Sequence, residues 1–199
     1  MDFLNMLKGV LGQVKACPEA EAAAAMRNAC AEFLTETRCM LGDDVIATDG
    51  TVPALADMLS QVVDVVEASI EGEDVHVTYY NDPALRDLGP TDWRLTFKEP
   101  SGELTLTPTP PAAVNLRLIR ILSVGPEAIQ VADWVWRSHS EALTHGCLAR
   151  LLAMANKPWA DGAAAVFHET KFREAITRVA ASHSVNRKQV ARRLRVKPA

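Results

Sequence analysis

The stretch from His145 to Asp161, HGCLARLLAMANKPWAD, ends one helical pattern abruptly and prepares the start of another. A helix cannot continue through Pro158, and Asn156 is disfavoured inside a helix. Asp161 is a good N-cap for the helical pattern that follows. The sequence therefore predicts two helices joined at an αα-corner, and we expect the large ring of Trp159 to lie in that corner and fix the helix crossing.

Helical periodicity is present at both ends of the chain. Apolar spacing predicts a short amphipathic helix over about 2–14, and a longer helix over about 18–40 with Gly42 as its stop. The two helices of the corner extend over about 128–156 and 162–182. The apolar face predicted for the last helix includes Val166, Phe167, Ala175, Ile176 and Val179.

One face of the helix that precedes the corner carries several small residues. Ala142, Gly146 and Ala149 recur at helical spacing, and residues without bulky side chains let two helix backbones approach closely. We therefore expect another helix to pack against this face.

The middle of the chain changes from helical periodicity to strand-like patterns. QVVDVVEASIEG and EDVHVTYYN are rich in β-branched and aromatic residues, and AVNLRLIRILSV alternates apolar and charged positions. DWRLTFKEPSGELTLTPTP alternates around Pro-Ser-Gly, which predicts a β-hairpin. Antiparallel order is favoured because no crossover helix separates the last three predicted strands. Acids near the strands are interpreted as solvated loop charges: Asp43, Asp44, Glu71, Glu73 and Asp74.

These patterns predict an α+β fold. It consists of a helical bundle, an antiparallel β-rich insertion between the N-terminal helix and two long C-terminal helices, and an extended basic C-terminal tail. The predicted helical core comprises 1–42 and 126–183, the insertion 43–125 and the tail 184–199. A chain of 199 residues is long enough for one domain carrying such an insertion. We expect no signal peptide, and no membrane span because no apolar run approaches about 18 residues.

Charge is divided unevenly along the chain. Residues 171–199 contain nine Lys/Arg and one acid, for +8, whereas the rest contains 12 Lys/Arg and 24 Asp/Glu, for −12. An acidic body with a basic terminal segment indicates an anionic partner, either nucleic acid or an acidic protein groove. SVNRKQVARRLRV resembles the first helix of a helix-turn-helix, but only three residues follow Val196, too few for a recognition helix. A disordered basic tail is one interpretation, and a tail that docks into an acidic groove of a partner protein is favoured over it.

Candidate reactive residues lie close together in sequence but not on one helix face. His139 and His145 are six positions apart, which turns them about 240° from each other, unlike the shared-face histidines of a zinc helix. Cys147 diverges from His145 by about 200°. An enzyme built around these three residues is one alternative; otherwise no catalytic residue, metal site or cofactor is expected. The sequence contains no glycine-rich phosphate loop.

The cysteines show neither C-x-x-C pairs nor zinc spacing. We expect free thiols, most of them buried, in a protein made in a reducing cytosol. The four are Cys17, Cys30, Cys39 and Cys147.

Several motifs occur in a distinctive order. CPE opens the first long helix, LTLTPTPP and LRLIRILSVGPEA follow in the insertion, and EALTHGCLARLLAMANKPWAD and AAAVFHETKFREAITRVAA form the corner region. In this order they resemble the head-to-tail adaptor, or connector, proteins of tailed double-stranded DNA bacteriophages. The similarity is densest from Trp134 to Ala181, and it is loose over VPALADMLSQVVDVVEASIEGEDVHVTYYND.

The resemblance implies a structural role and no enzymatic activity. Family members form a ring, usually twelvefold, beneath the portal vertex of a filled head, with helical bodies packed against neighbouring subunits. A tail or nozzle protein binds below, and genomic DNA passes through the centre without sequence-specific binding. The protein is then expected in the virion neck after synthesis in the host cytoplasm. The resemblance and the charge pattern together assign portal binding to Arg187, Lys188, Val190, Arg192, Arg193, Leu194, Arg195 and Lys197.

The alternative function is a nucleic-acid-binding protein that uses the basic cluster at 187–197. Strong and steeply salt-dependent affinity for duplex DNA would distinguish such a protein from an adaptor.

Overall fold

The computed structural model describes residues 1–48, 51–52, 60–79, 93–98, 103–110 and 112–194, with the backbone alone at 51–52, 79, 98, 103 and 184–194. The chain divides into two units. The helical unit comprises Met1–Cys39 and Pro126–Ala199, and the sheet unit comprises Met40–Gly125. The α+β class predicted from the sequence is confirmed.

Five helices form the described part of the helical unit. They are α1 (Phe3–Met6), α2 (Lys8–Leu11), α3 (Glu19–Thr37), α4 (Asp133–Leu152) and α5 (Gly162–Leu194). The stretch predicted as one amphipathic helix is divided at Leu7 into α1 and α2. Helix α4 is shorter than predicted, and it contains a kink at His139, where φ is −134° and ψ is 18°.

Helix α3 ends at a left-handed residue. Arg38 has a φ of 52°, and its N–H donates to the carbonyl of Leu34 at 2.9 Å, which closes the last turn. The prediction that Gly42 stops this helix is wrong, because Gly42 lies inside strand β1 (Leu41–Thr48). An arginine in the left-handed conformation supplies the backbone geometry that glycine more often provides.

The connection between α4 and α5 has the stop and the cap that the sequence predicts. Asn156 adopts a left-handed φ of 63°, and the N–H of Asp161 donates to the carbonyl of Leu152 at 3.0 Å. The Oδ1 atom of Asp161 accepts from the N–H groups of Ala163, at 3.1 Å, and Ala164, at 3.0 Å. Asp161 therefore caps α5 as predicted.

Helix α5 is longer than predicted. It continues to Leu194, so the backbone of residues 184–194 is helical where an extended tail was predicted. Residues 195–199 lie outside the described part of the chain. The extra three turns follow from a sequence without glycine or proline between 163 and 194.

The buried face of α5 also differs from the prediction. Ala165, Phe172 and Ile176 are buried, whereas Val166 and Phe167 are exposed at 68% and 55%. The predicted face is therefore wrong for Val166 and Phe167. Apolar residues occur on both sides of this helix, and periodicity alone does not decide which side packs.

Gly146 on α4 sets the separation of α4 and α5. A Cβ atom built on Gly146 would lie 2.7 Å from Cε2 and 2.8 Å from Cδ2 of Phe172, whose side chain is fully buried. The centroid of the Phe33 ring, from α3, lies 6.3 Å from that of Phe172. The close approach predicted from small residues is confirmed at Gly146, and the Phe172 ring fills the space that its missing side chain leaves.

The described residues of the sheet unit form two four-stranded sheets. Their orders are β1-β8-β3-β4 and β2-β7-β6-β5. Besides β1, the strands are β2 (Thr51–Val52), β3 (Ser60–Ile70), β4 (Glu73–Asp74), β5 (His76–Tyr79), β6 (Arg94–Lys98), β7 (Glu103–Thr107) and β8 (Val114–Val124).

Strand pairing confirms the hairpin but not a uniformly antiparallel order. β6 and β7 pair antiparallel with Lys98 opposite Glu103, as the hairpin prediction requires, and the turn at 99–102 lies outside the described residues. β5 and β6 pair in parallel, so the antiparallel prediction is wrong for this pair. The fourteen residues at 80–93 separate the two strands, enough chain for the return that parallel pairing needs.

The acids of the sheet unit are not all loop charges. Asp43 and Asp44 lie within β1, on opposite faces of the strand. Asp43 pairs with the exposed Arg117 of β8 at 2.6 Å, and Asp44 pairs with the buried Arg120. The loop interpretation is therefore wrong for Asp43 and Asp44, and also for Glu73 and Asp74, which form β4. It holds for Glu71, which is exposed in the turn between β3 and β4.

Apolar side chains from both sheets form the core of the sheet unit. The fully buried members are contributed by β6, β7 and β8. They are Leu95, Phe97, Leu104, Leu106, Leu116 and Leu118.

Gly146→Ala should destabilise the protein. The added methyl group meets the buried ring of Phe172, and overpacking of this kind costs about 1–3 kcal/mol, whereas the gain in helix propensity is about 1 kcal/mol. We expect a net loss of up to about 2 kcal/mol in the free energy of unfolding, measured by urea titration. Gly9→Ala is the matched control, because no described atom lies within 4 Å of a Cβ there. Equal stability of the two variants would contradict this account of α4–α5 packing.

Candidate interaction surfaces

The basic C-terminal segment is carried by the end of α5. The buried residues among the described side chains of this helix lie between Ala165 and Ile176, and the backbone of residues 184–194 continues the helix by about 16 Å at 1.5 Å per residue. Of the residues predicted to bind the portal, six lie on this helical backbone: Arg187, Lys188, Val190, Arg192, Arg193 and Leu194. Arg195 and Lys197 lie outside the described residues.

Ion pairs to one carboxylate join the three long helices. Glu32 of α3 pairs with Arg150 of α4 and with Arg173 of α5. Arg173 also pairs with Glu169, one turn earlier, at 2.7 Å. The guanidinium of Arg150 lies 5.3 Å from the centroid of the Phe172 ring, so it contacts the same aromatic group that fills the space beside Gly146. These ion pairs hold α5 against α3 and α4 and fix its position along its own axis.

The αα-corner is tied to the start of α3. Trp159 is half-buried in the connection, and the Nζ atom of Lys157 lies 5.3 Å from the centroid of its ring. The same Nζ donates to Glu21 of α3 at 2.8 Å. The indole N–H of Trp159 is buried and has no hydrogen-bond acceptor among the described residues. Lys157 therefore contacts both the corner and α3 through one ammonium group.

A histidine pair joins α4 and α5 near the corner. The Nδ1 atoms of His145 and His168 are 2.7 Å apart, so one ring donates its proton and the other accepts. Burial lowers the pKa of His168, and the neighbouring His145 lowers it further. The ring of Phe167 packs edge-on against His145, with centroids 6.1 Å apart. His168 was not predicted from the sequence, because its partner lies 23 residues away on the other helix.

The three residues of the enzyme alternative contact different parts of the helical unit. The ring of His139 packs 4.9 Å from that of Phe33, His145 contacts His168, and the Sγ atom of Cys147 contacts the carbonyl of Ala22 at 3.7 Å. Burial raises the pKa of the Cys147 thiol to about 12, so this group is not a thiolate near neutral pH. The arrangement gives Cys147 a packing role rather than that of an activated nucleophile.

All four cysteines are free and buried, which confirms the prediction for their side chains. Burial also raises the pKa of Cys30 to about 12.

Within the described residues, no three His, Cys, Asp or Glu side chains are grouped so that they could hold a metal ion. The described helices include none that is long and apolar enough to cross a membrane.

Comparison with known proteins identifies the family. Residues 15–197 match the family model of the SU10 adaptor protein, which covers both units and most of the basic segment. The chain therefore belongs to the SU10 adaptor protein family, a family of phage head-to-tail adaptors, and the resemblance deduced from the motifs is confirmed. It is a structural component of the virion. No curated protein matches the chain.

Trp159→Ala should lower the melting temperature. Truncating a fully buried tryptophan costs about 3–5 kcal/mol, and half-burial reduces our expectation to about 1–3 kcal/mol. Trp159→Phe, which keeps an aromatic face beside Lys157, should recover most of the loss. Thermal unfolding followed by circular dichroism measures both variants. An unchanged melting temperature for Trp159→Ala would show that the corner does not depend on this ring.

Stability of the helical unit should fall as the pH falls below about 6.5, the ordinary pKa of histidine. Because burial lowers the folded-state pKa of His168 and His139, their neutral forms are favoured in the folded protein. The stability that the two histidines contribute is fully present above the histidine pKa of the unfolded state. It is lost as the pH falls through their pKa in the folded state.

His168→Gln should make the unfolding free energy less dependent on pH between about 7.5 and 5. His76→Gln, which replaces an exposed histidine of β5, is the matched control and should keep the wild-type dependence. Urea titrations at several pH values measure the slope. If both variants keep the wild-type slope, His168 is not the group responsible.

Proposed function

We propose that this protein forms a ring of identical copies, expected to be twelvefold, beneath the portal vertex in the virion neck. The ring joins the DNA-filled head to a tail or nozzle protein on its lower side. Genomic DNA passes through its centre without sequence-specific binding. The observation that carries this proposal is the family match over residues 15–197, which includes both units of the chain.

Portal attachment is assigned to the C-terminal segment. Residues 184–199 contain six Lys/Arg and no Asp/Glu, while the body of the chain before residue 171 has a net charge of −12. Helical backbone continues through 184–194, and positions 190 and 194, a valine and a leucine in the sequence, are one turn apart along it. A basic helix with an apolar edge suits an acidic groove that has an apolar floor.

Attachment depends on repetition rather than on any single arginine. An exposed ion pair contributes about 0–1 kcal/mol, so no one charge in the segment can hold a subunit. In a ring, every subunit presents the same segment to the portal, and binding of one raises the local concentration of the others. The whole segment is therefore the unit of attachment.

The acidic body is suited to a channel through which DNA slides. A protein that neutralises many phosphates releases their counterions and binds tightly, which would hinder passage. With 24 acids against 12 bases outside residues 171–199, the body has little tendency to bind DNA in this way.

Deletion of residues 184–199 should abolish attachment and preserve the fold. Among the described side chains of α5, which end at residue 183, the buried ones lie between Ala165 and Ile176, so we expect the helical unit to keep its packing. The truncated protein should show the wild-type melting temperature but should no longer sediment with portal-containing heads. As a matched control, residues 184–199 are replaced by an equally long segment in which the same charges stand in scrambled order. This variant shows whether attachment needs the charges alone or also the apolar edge.

Two outcomes would contradict this assignment. A truncated protein that still saturates the heads would place the portal contact on another surface. Tight binding of the full chain to duplex DNA, with a steep dependence on salt that the truncation removes, would favour the nucleic-acid-binding alternative.

A further inference from the structure

Two bulky apolar side chains stand exposed on the outer face of α5. Val166 and Phe167 keep 68% and 55% of their surface exposed, and Ala163 and Thr170 flank them one turn away on either side. We call these four residues the α5 surface. Phe167 is held in place by its edge-on contacts with His145 and His168. Aromatic side chains with fixed positions are typical anchors of protein interfaces, because little conformational freedom is lost when they bind.

A groove of about 400 Å³ lies on a different part of the helical unit. Its floor is formed by the small side chains of α3, and its walls carry the exposed side chains of Leu4 and Ile129, at 53% and 67% exposure. The N–H of Phe3 donates to the carbonyl of Ile129 at 3.1 Å, which fixes the two walls relative to each other. We call it the α1–α3 groove; its floor and end are lined by Ala20, Ala23, Ala24 and Arg27.

The α5 surface and the α1–α3 groove are separate sites on one subunit. Glu32 marks the side of α3 that faces α5, because it pairs with Arg173. Ala20 and Glu32 are twelve positions apart in sequence, which places them roughly 120° apart around α3. The groove therefore opens away from α5, and one subunit can use both sites at once.

The charges around both sites favour a neutral, apolar partner. On α5, Lys171 pairs with Glu174 at 2.9 Å and Arg173 pairs with Glu169 at 2.7 Å, so the border of the surface is balanced. The groove is bordered by one acid, Asp2, and one base, Arg27. An apolar centre with a balanced polar rim is the composition of a protein–protein interface, and it offers no attraction to phosphates.

We propose that the α5 surface of one copy packs into the α1–α3 groove of the next copy, with Phe167 over the alanine floor and Leu4 and Ile129 on either side. This inference rests on the proposed ring and names the surfaces that build it. Two different sites on each subunit produce a heterologous, head-to-tail contact, and such a contact generates a closed ring when its rotation closes. The large side chains of the α5 surface are complementary in size to the small side chains on the floor of the α1–α3 groove.

Cross-linking between engineered cysteines tests the contact directly. The native cysteines are all buried, so Ala20→Cys in the groove and Ala163→Cys on the α5 surface would supply the exposed thiols. The double variant is bound to portal-containing heads and treated with a short bifunctional thiol reagent. We expect a ladder of oligomers that ends at one size. Each single variant should remain monomeric, and a mixture of the two single variants should stop at dimers.

A substitution on the α5 surface provides the second measurement. In the double-cysteine background, Phe167→Asp should reduce the oligomer ladder about tenfold or more, as expected for loss of an interface anchor. Thr177→Asp, an exposed position further along α5, is the matched control and should leave the ladder intact. Thr177→Asp should keep the wild-type melting temperature. Phe167→Asp loses the contacts with His145 and His168, so cross-linking is carried out at a temperature at which both variants are folded.

The results separate failure of this contact from failure of the proposed function. Head-bound protein without a ladder would overturn the contact and leave the adaptor role standing. Dimers from a single-cysteine variant would also overturn the contact, because they indicate a symmetric contact between two copies. Cross-links to portal or tail protein would overturn it as well, because they indicate another occupant of the site. Protein that does not bind heads at all would overturn the proposed function, and the contact with it.

Discussion

The close contact between Gly146 and Phe172 determines how the helical unit is built. Because α4 carries no side chain at this position, the Phe172 ring lies directly against its backbone and is fully buried. Burying Phe172 fixes the rotation of α5 about its axis. With that rotation set, Arg173 reaches Glu32 of α3, while Val166 and Phe167 are turned outward. One missing side chain therefore decides both which residues form the core and which remain available to a partner.

Local signals in the sequence predicted several features correctly. Asp161 caps the second helix of the corner as predicted, because an N-cap carboxylate acts within a few residues of its own position. Pro158 indicated that the preceding helix ends but not where, since α4 ends at Leu152, six residues earlier. The small side chain of Gly146 indicated close helix packing for a similar reason. The β6–β7 hairpin was predictable because its two strands alternate around a short turn.

The errors concern features that depend on distant parts of the chain. Periodicity could not show that Phe172 rather than Phe167 is buried against α4, since that choice depends on where Gly146 lies on the other helix. Asp43 and Asp44 were mistaken for loop charges because their partners on β8 are more than 70 residues away. Parallel pairing of β5 with β6 likewise depends on the path of the intervening chain. The portal-binding residues stay a prediction.

The central claim is that the protein is a ring-shaped adaptor attached to the portal. Cryo-electron microscopy of portal-containing heads, with and without added full-length protein, tests it most directly. The account predicts an added ring of density in contact with the portal, with rotational symmetry, helical bodies side by side and a central opening wide enough for duplex DNA. Heads that gain no density at the portal vertex, or that gain it elsewhere on the shell, would contradict the account.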